Sequence, residues 1–373
     1  MIIAGEASGD LHGAGLIEAI KSLNPEIQFF GMGGDKMIAA GLNAQMNAKR
    51  MAFLGFAEVI RHLPFIMKVE NSLIKKIKEE DIKTLVLIDY PGFNLRFARK
   101  AKELGLKIIY YISPQVWAWG KKRVKKIKEL VDKMIVVFPF EETFYRGKGV
   151  EAVFAGHPLI ERIDSYNFLS KEELYKKFNL AGGKEILLLL PGSRKHEIRK
   201  IFPVSVKAAI KLAQKLNMQV VVACSENLDE NLLIKQYSSP DYKIIKGFTY
   251  DLMKHSRFGI IKSGTSTLEA GIISLPYIVI YSTSSLTYYL GRMVVDIKNL
   301  AISNILLGEN VVEELIQNDL TEENIIAHAE RILSDNSRYE TIKKNLGRLR
   351  SILGTGKASH KAARIIIDYV NGS

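Results

Sequence analysis

Short runs of almost unbroken apolar residues recur along this chain, and each gives way to small or polar residues. Leu85-Val86-Leu87-Ile88 stops at Asp89, Leu188-Leu189-Leu190 at Pro191-Gly192-Ser193-Arg194, and residues 258–261 at Lys262-Ser263-Gly264. A strand that is apolar on both sides belongs in a sheet covered on both faces. Between the runs lie amphipathic stretches; Phe93, Phe97, Ala101 and Leu104 share one side at helical spacing. Strands alternating with helices predict parallel sheets with helices on both faces. Strands are expected at 1–4, 27–30, 84–88, 107–112 and 133–137. After a break rich in turn residues between Pro158 and Leu180, further strands are expected at 185–190, 219–223, 243–246, 258–261 and 277–280. The tail from about 321 to 370 reads as helical.

The expected fold class is therefore α/β, with two Rossmann-like doubly wound domains facing each other across a cleft. We expect an N-terminal domain over 1–165 and a C-terminal domain over 166–349. A final helix over about 350–373 is expected to pack back on the first domain or on a partner chain, which leaves a homodimer open. A chain of 373 residues has room for two such cores.

In doubly wound sheets ligands bind beyond the carboxyl ends of the strands, so the strand tips are the places to look for chemistry. Pro191-Gly192-Ser193-Arg194 combines backbone N–H groups near a helix start with a guanidinium, which suits a phosphate; a plain Pro-Gly turn would look the same. Lys262-Ser263-Gly264-Thr265-Ser266 repeats that logic, and Glu269 follows in the first turn of the helix, where it could hold ribose hydroxyls or merely complement the helix dipole. Gly5-Glu6-Ala7-Ser8-Gly9-Asp10 lacks both a dinucleotide fingerprint and the lysine of a P-loop. Its acids suit sugar hydroxyls better than phosphate, and a plain tight strand-to-helix turn would look the same. Asp89 stands at the tip of an apolar strand, where burial would raise its pKa toward the range of a general base; an acid that simply starts the turn Tyr90-Pro91-Gly92 would look the same. Ser113-Pro114-Gln115-Val116-Trp117-Ala118-Trp119 holds both tryptophans, as a sugar or acyl site would, or as core packing would.

Charge and composition narrow the partners. Lys and Arg number 53 against 40 Asp and Glu, a net +13, which favours polyanions or an anionic membrane face. Two segments fit the latter. Lys121, Lys122 and Arg123 open a basic amphipathic stretch, for a membrane surface or as a solvated face, and Phe65, Ile66, Val69 and Leu73 crowd apolar groups beside lysines, for membrane or acyl contact or for core burial. Signatures of nucleic-acid readers are missing and the basic residues are spread out, so no nucleic acid is expected. Cys224 is the single cysteine, which rules out a disulfide within the chain, and clustered histidines are absent, so neither a metal nor another cofactor is expected. No run reaches the ~18 apolar residues of a membrane span. The opening Met1-Ile2-Ile3-Ala4-Gly5 lacks the marks of a signal peptide, so a cytoplasmic location is expected.

Laid end to end, these segments resemble the lipid-A-disaccharide synthase family. The matching stretches are Ala4 to Asp10, Gly31-Met32-Gly33-Gly34, Gly55-Phe56-Ala57-Glu58-Val59, Ile88-Asp89 with Phe93-Asn94, Ser113 to Trp119, Phe154-Ala155-Gly156-His157-Pro158, Leu190 to Arg194, Lys262 to Glu269, and Asn304-Ile305-Leu306. Gly92 and Ser303 depart from the residues common in relatives.

The resemblance implies a GT-B type fold, with an acceptor-binding N-terminal domain and a UDP-sugar-binding C-terminal domain. It implies transfer of 2,3-diacylglucosamine from UDP to 2,3-diacylglucosamine 1-phosphate (lipid X), by an enzyme peripheral on the inner face of the cytoplasmic membrane. By position, it implies Asp89 as base and Ser193, Arg194, Gly264 and Thr265 around the diphosphate. Glu269 would hold the ribose, Asn304 would lie near the donor, and Glu6, Ser8, Asp10, Gln115 and Trp117 would lie near the sugars. A UDP-sugar epimerase and a glycosyltransferase of peptidoglycan lipid assembly share this fold and are the enzyme rivals.

Overall fold

The computed structural model describes residues 1–50, 63–117, 122–226, 228–283, 299–354 and 356–372, with Arg50 and Lys122 described through their backbone alone. The segment 55–59, Ala118, Trp119 and Lys121 lie outside the described residues. The chain divides into two compact units, Met1–Glu161 with Leu353–Ser373, and Arg162–Ile352.

The first unit carries a seven-stranded sheet in the order β3-β2-β1-β4-β5-β6-β7. Its strands are β1 (Ile2–Ala4), β2 (Phe29–Gly33), β3 (Leu42–Asn47), β4 (Thr84–Ile88), β5 (Lys107–Tyr111), β6 (Lys133–Val136) and β7 (Ala152–Phe154), and the pairings between neighbours are parallel. Helices α1 (Ala7–Leu23), α2 (Asp35–Ala39), α3 (Leu63–Glu79), α4 (Pro91–Glu103), α5 (Lys122–Leu130) and α6 (Pro139–Arg146) connect them, and α7 (Pro158–Asp164) runs across the boundary at 161/162.

The second unit repeats the plan with six strands in the order β10-β9-β8-β11-β12-β13. They are β8 (Ile186–Leu190), β9 (Gln219–Cys224), β10 (Tyr242–Lys246), β11 (Ser256–Lys262), β12 (Tyr277–Tyr281) and β13 (Glu314–Ile316), again in parallel pairings. Its helices are α8 (Lys171–Lys177), α9 (Lys195–Lys215), α10 (Asn231–Gln236), α11 (Thr249–His255), α12 (Thr265–Ile272), α13 (Ile302–Leu307), α14 (Glu322–Leu333) and α15 (Asn336–Leu353). The last helix, α16 (Ala358–Asn371), returns to the first unit and packs along α1. There Ser359 lies against Gly15, and Ser22 Oγ bonds His360 Nε2 at 3.1 Å.

Both sheets reverse their winding direction next to the first strand, between β1 and β4 and between β8 and β11. Such switch points open a crevice at the strand tips. Strand register then fixes which tips meet. Ala4 pairs with Ile88, so Gly5 and Asp89 emerge side by side. Leu190 pairs with Ile261, so Pro191 and Lys262 do the same.

Several elements differ from the sequence reading. Strand β2 begins two residues later than expected and runs on through Gly31-Met32-Gly33. Strands β3, β7 and β13, and helices α7 and α8 in the stretch read as turns, were not expected. β3 and β13 carry mixed patterns such as Leu42-Asn43-Ala44-Gln45-Met46-Asn47, because a sheet edge needs no second apolar face, and β7 is apolar but only three residues long.

Candidate functional site

In the first unit the switch point gathers the Gly5 loop and the end of β4. Asp89 and Tyr90 both take left-handed backbone angles, with φ of 44° and 47°. Two such residues in succession cost on the order of 2–4 kcal/mol, so something must hold them. The Asp89 carbonyl accepts from the Tyr110 hydroxyl at 2.5 Å and from Asn94 Nδ2 at 2.7 Å, and its N–H donates to the Tyr111 carbonyl at 3.3 Å. With its backbone tied down, the half-buried carboxyl is presented at the strand tip. Burial, then the nearby charge of Glu6, pushes its pKa up to about 6, against the pull of the Tyr90 N–H. A carboxylate that gains basicity this way is suited to accept a proton near neutrality.

Glu6 and Ser8 are exposed on the same loop. Asp10 is not: it is 8% exposed, and its oxygens accept from the N–H groups of Gly34 (2.7 Å), Met37 (3.0 Å) and Lys36 (3.2 Å). Its carboxylate caps α2 and fixes the β2 tip, so its part in sugar contact, expected above, gives way to a structural one.

The stretch Ser113 to Trp117 is anchored by a residue that the sequence reading missed, Glu141. Its Oε1 accepts from Ser113 Oγ at 2.6 Å and Trp117 Nε1 at 3.1 Å, and its Oε2 from the Phe138 N–H at 3.2 Å. Trp117 meets Phe140 edge-on at 4.9 Å, while Gln115 is exposed. The only hint in the sequence was an acid in the first turn of a helix, which usually signals nothing more than dipole complementarity.

Burial of Glu141 pushes its carboxyl from 4.5 up to about 7, in spite of the hydrogen bonds from Ser113, Phe138 and Trp117. Below about pH 4.5 both folded and unfolded chains hold this proton. Between there and 7 the unfolded chain releases it first, so stability falls as pH rises, by ~3 kcal/mol in all. We expect Glu141→Gln to flatten that slope relative to wild type in thermal melts taken from pH 5 to 8. A variant that kept the wild-type slope would refute the assignment.

The apolar segment is corrected by the structure. Ile66, Val69 and Leu73 are buried in the core of the first unit, where they pack with residues of the sheet, and Phe65 packs partly against the same core. The side chains of Ile66, Val69 and Leu73 are therefore not available for membrane or acyl contact, whereas Phe65 stays partly exposed. On α3 the exposed large apolar groups are Leu63 and Met67. Arg123 lies half-buried on α5.

In the second unit the tips of β8 and β11 open on a pocket of about 420 Å³. Its walls include Ser193, Lys262, Gly264, Thr265 and Glu269, brought together from two turns. Glu269 accepts from the Tyr250 hydroxyl at 3.0 Å, and the Arg162 guanidinium lies 5.2 Å from the Tyr250 ring. Burial raises the Glu269 pKa, while Tyr250 and Arg162 act to lower it.

Beneath the first turn sits a second missed acid, Glu197, 4% exposed. Its Oε2 accepts from the N–H groups of Ser193 (3.2 Å) and Arg194 (3.3 Å), and Lys262 Nζ lies 2.7 Å from its Oε1. Burial works against the charge. Lys262 and the two N–H groups outweigh it and hold the carboxyl below the usual carboxylate range. The spacing Arg194-x-x-Glu197 is one half of a capping box and could have flagged it. Gly192 is obligatory here: its φ is +115°, and a Cβ would meet Glu197 Oε2 at 2.6 Å.

Two expected nucleotide contacts stand elsewhere. Arg194 does not line the pocket; its side chain is 72% exposed, with Nη1 3.8 Å from Glu197. Asn304 is 1% exposed, and its amide is fully engaged: Oδ1 takes the N–H groups of Val311 and Val312, and Nδ2 donates to the Val312 carbonyl and to Glu314. With each of its polar atoms engaged, Asn304 latches the segment before β13 and has no free amide for a donor.

Known proteins bear on what this arrangement does. A family model described as lipid-A-disaccharide synthetase matches residues 1–367. The lipid-A-disaccharide synthase of Geobacter sulfurreducens is 39% identical over 373 residues, covering 99% of this chain and 97% of its own. Among solved structures, UDP-GlcNAc 2-epimerase from Neisseria meningitidis bound to UDP-GlcNAc superposes with a TM-score of 0.66 at 12% identity, covering 98% of each chain. The calicheamicin glycosyltransferase CalG4 does so at 0.62 and 13% identity, over 99% of this chain and 96% of its own. These two share the GT-B fold. An extensive match to the family model, a relative at this identity over nearly full length and the two doubly wound sheets agree: the chain belongs to the lipid-A-disaccharide synthase family of glycosyltransferases.

Proposed function

We propose that the chain moves 2,3-diacylglucosamine from UDP onto O6 of 2,3-diacylglucosamine 1-phosphate with inversion, giving a β-1,6-linked disaccharide 1-phosphate and UDP. The observation that carries this reading is Asp89, a strand-tip carboxylate whose pKa is pushed up to about 6 on a rigidly held backbone. In this reading the carboxylate takes the proton of the acceptor 6-hydroxyl as O6 attacks the anomeric carbon. The bond from that carbon to the diphosphate oxygen breaks, and UDP departs with the electron pair. One displacement of this kind needs a single base and no covalent sugar–enzyme intermediate.

The pocket of the second unit holds UDP in this scheme. The N–H groups at the start of α12 and the Ser193 hydroxyl take the diphosphate, and Glu269 takes the ribose hydroxyls. Arg194, with its exposed guanidinium, reaches the phosphates from the pocket rim. We expect Arg194→Ala to weaken UDP binding and slow turnover about tenfold each, as for loss of one charge-assisted contact. Unchanged UDP affinity in a titration would remove Arg194 from the site.

Among the described residues no helix is long and apolar enough to cross a membrane. A net charge of +13 supports peripheral binding to an anionic inner leaflet, where both lipid substrates reside, with the basic start of α5 as one contact. The deciding experiment is incubation with UDP-2,3-diacylglucosamine and lipid X, followed by mass spectrometry of the lipid product. A disaccharide phosphate is expected. Epimerised UDP-sugar without any disaccharide would favour the epimerase rival.

A further inference from the structure

We infer that Lys262 is a cation for the donor diphosphate inside the pocket, and that Glu197 moderates its grip. The inference rests on reading this pocket as the UDP site. Lys262 is the last residue of β11, and the register of β11 with β8 sets it beside Pro191. Its ammonium lies 2.7 Å from Glu197 Oε1, and a Cβ built on Gly264 would stand 3.9 Å from the same nitrogen. The ammonium therefore sits between the turn at 191–194 and the turn that starts α12. Its side chain is 15% exposed and lines the pocket, whereas Arg194 does not. A charge shielded from solvent is screened less than one in water, so a phosphate reaching this nitrogen gains more than it would at an exposed lysine.

Glu197 behaves as an internal anion. Its two oxygens take the N–H groups of Ser193 and Arg194 and the Lys262 ammonium. These are the kinds of donor that a phosphate uses at a helix start. The lysine has three N–H bonds on a flexible stem, so it can keep Glu197 and still reach a phosphate oxygen. The carboxylate cancels part of its charge all the while. That reduced attraction favours departure of the product UDP after transfer.

The test is titration of uridine, UMP and UDP against the full chain and the variants Lys262→Met, Lys262→Arg and Glu197→Gln. We expect Lys262→Met to weaken UDP at least tenfold, or ~1.4 kcal/mol, with uridine affinity unchanged. Lys262→Arg should recover most of the loss. Glu197→Gln should tighten UDP about threefold or more, again without effect on uridine, as expected when a competing charge is removed.

Wild-type UDP affinity in Lys262→Met, or an equal loss of uridine and UDP, would overturn the inference. If Lys262→Met does not fold, Glu197→Gln decides: unchanged or weaker UDP binding rejects it. A wild-type chain that binds no UDP removes the reading of the pocket as well. A wild type that binds UDP alongside indifferent variants removes this inference alone.

Discussion

Replacing Asp89 by Asn is expected to lower kcat about a thousandfold while the fold and UDP affinity stay intact. Asparagine fits the same space and leaves the backbone bonds from Tyr110 and Asn94 untouched. What it loses is the ability to take a proton, and general-base catalysis is worth about 10²–10⁴ in rate. The pH profile adds a second check. Because the Asp89 pKa is raised to about 6, wild-type kcat/KM should fall with unit slope below that pH and level off above it. Glu6 contributes to the raised value through its negative charge. Glu6→Gln should therefore move the acid limb to lower pH. Near-normal turnover by a folded Asp89→Asn enzyme would end the assignment of this residue as the base.

The second large effect is expected from a single methyl group. A Cβ at Gly5 would lie 2.1 Å from Tyr90 Cδ1 and 2.6 Å from its Cγ, well inside van der Waals contact. These atoms sit close to the Tyr90 backbone, so the ring cannot simply swing its far end away. Tyr90 and Asp89 share a left-handed turn, and pushing one displaces the other. Gly5→Ala should cost ~1–3 kcal/mol of stability as an overpacked site. It should also slow turnover about a hundredfold, since a misplacement near 1 Å has that effect on a catalytic group. Thermal melts and kcat would read both. A variant with wild-type melting and wild-type rate would show that the Tyr90 ring need not cover Gly5.

Much of the architecture was written in the apolar runs. Residues 84–88 and 185–190 read as strands covered on both faces, and the acids, glycines and hydroxyls that follow them mark the tips. Other features depend on long-range partners and leave little local trace. Glu141 and Glu197 look like ordinary first-turn acids until the fold brings Ser113, Trp117 and Lys262 to them. Asp10 and Asn304 sit in motifs that invite a ligand role, yet their oxygens are occupied by backbone N–H groups, more than twenty residues on for Asp10 and in the next loop for Asn304. The helix at Leu63–Glu79 was ambiguous for another reason. An apolar stripe beside lysines is the same pattern whether it meets a sheet or a lipid, and only the position of the sheet decides.

The return of α16 to α1 has a bearing on biogenesis. The second unit is an uninterrupted length of chain, Arg162–Ile352, whereas the first draws on both sides of it. During synthesis the α16 residues that pack against α1 leave the ribosome after the whole of the second unit. The second unit can thus reach its final form while the half that carries Asp89 still waits for α16, with the α1 surface around Gly15 and Ser22 bare in the interval.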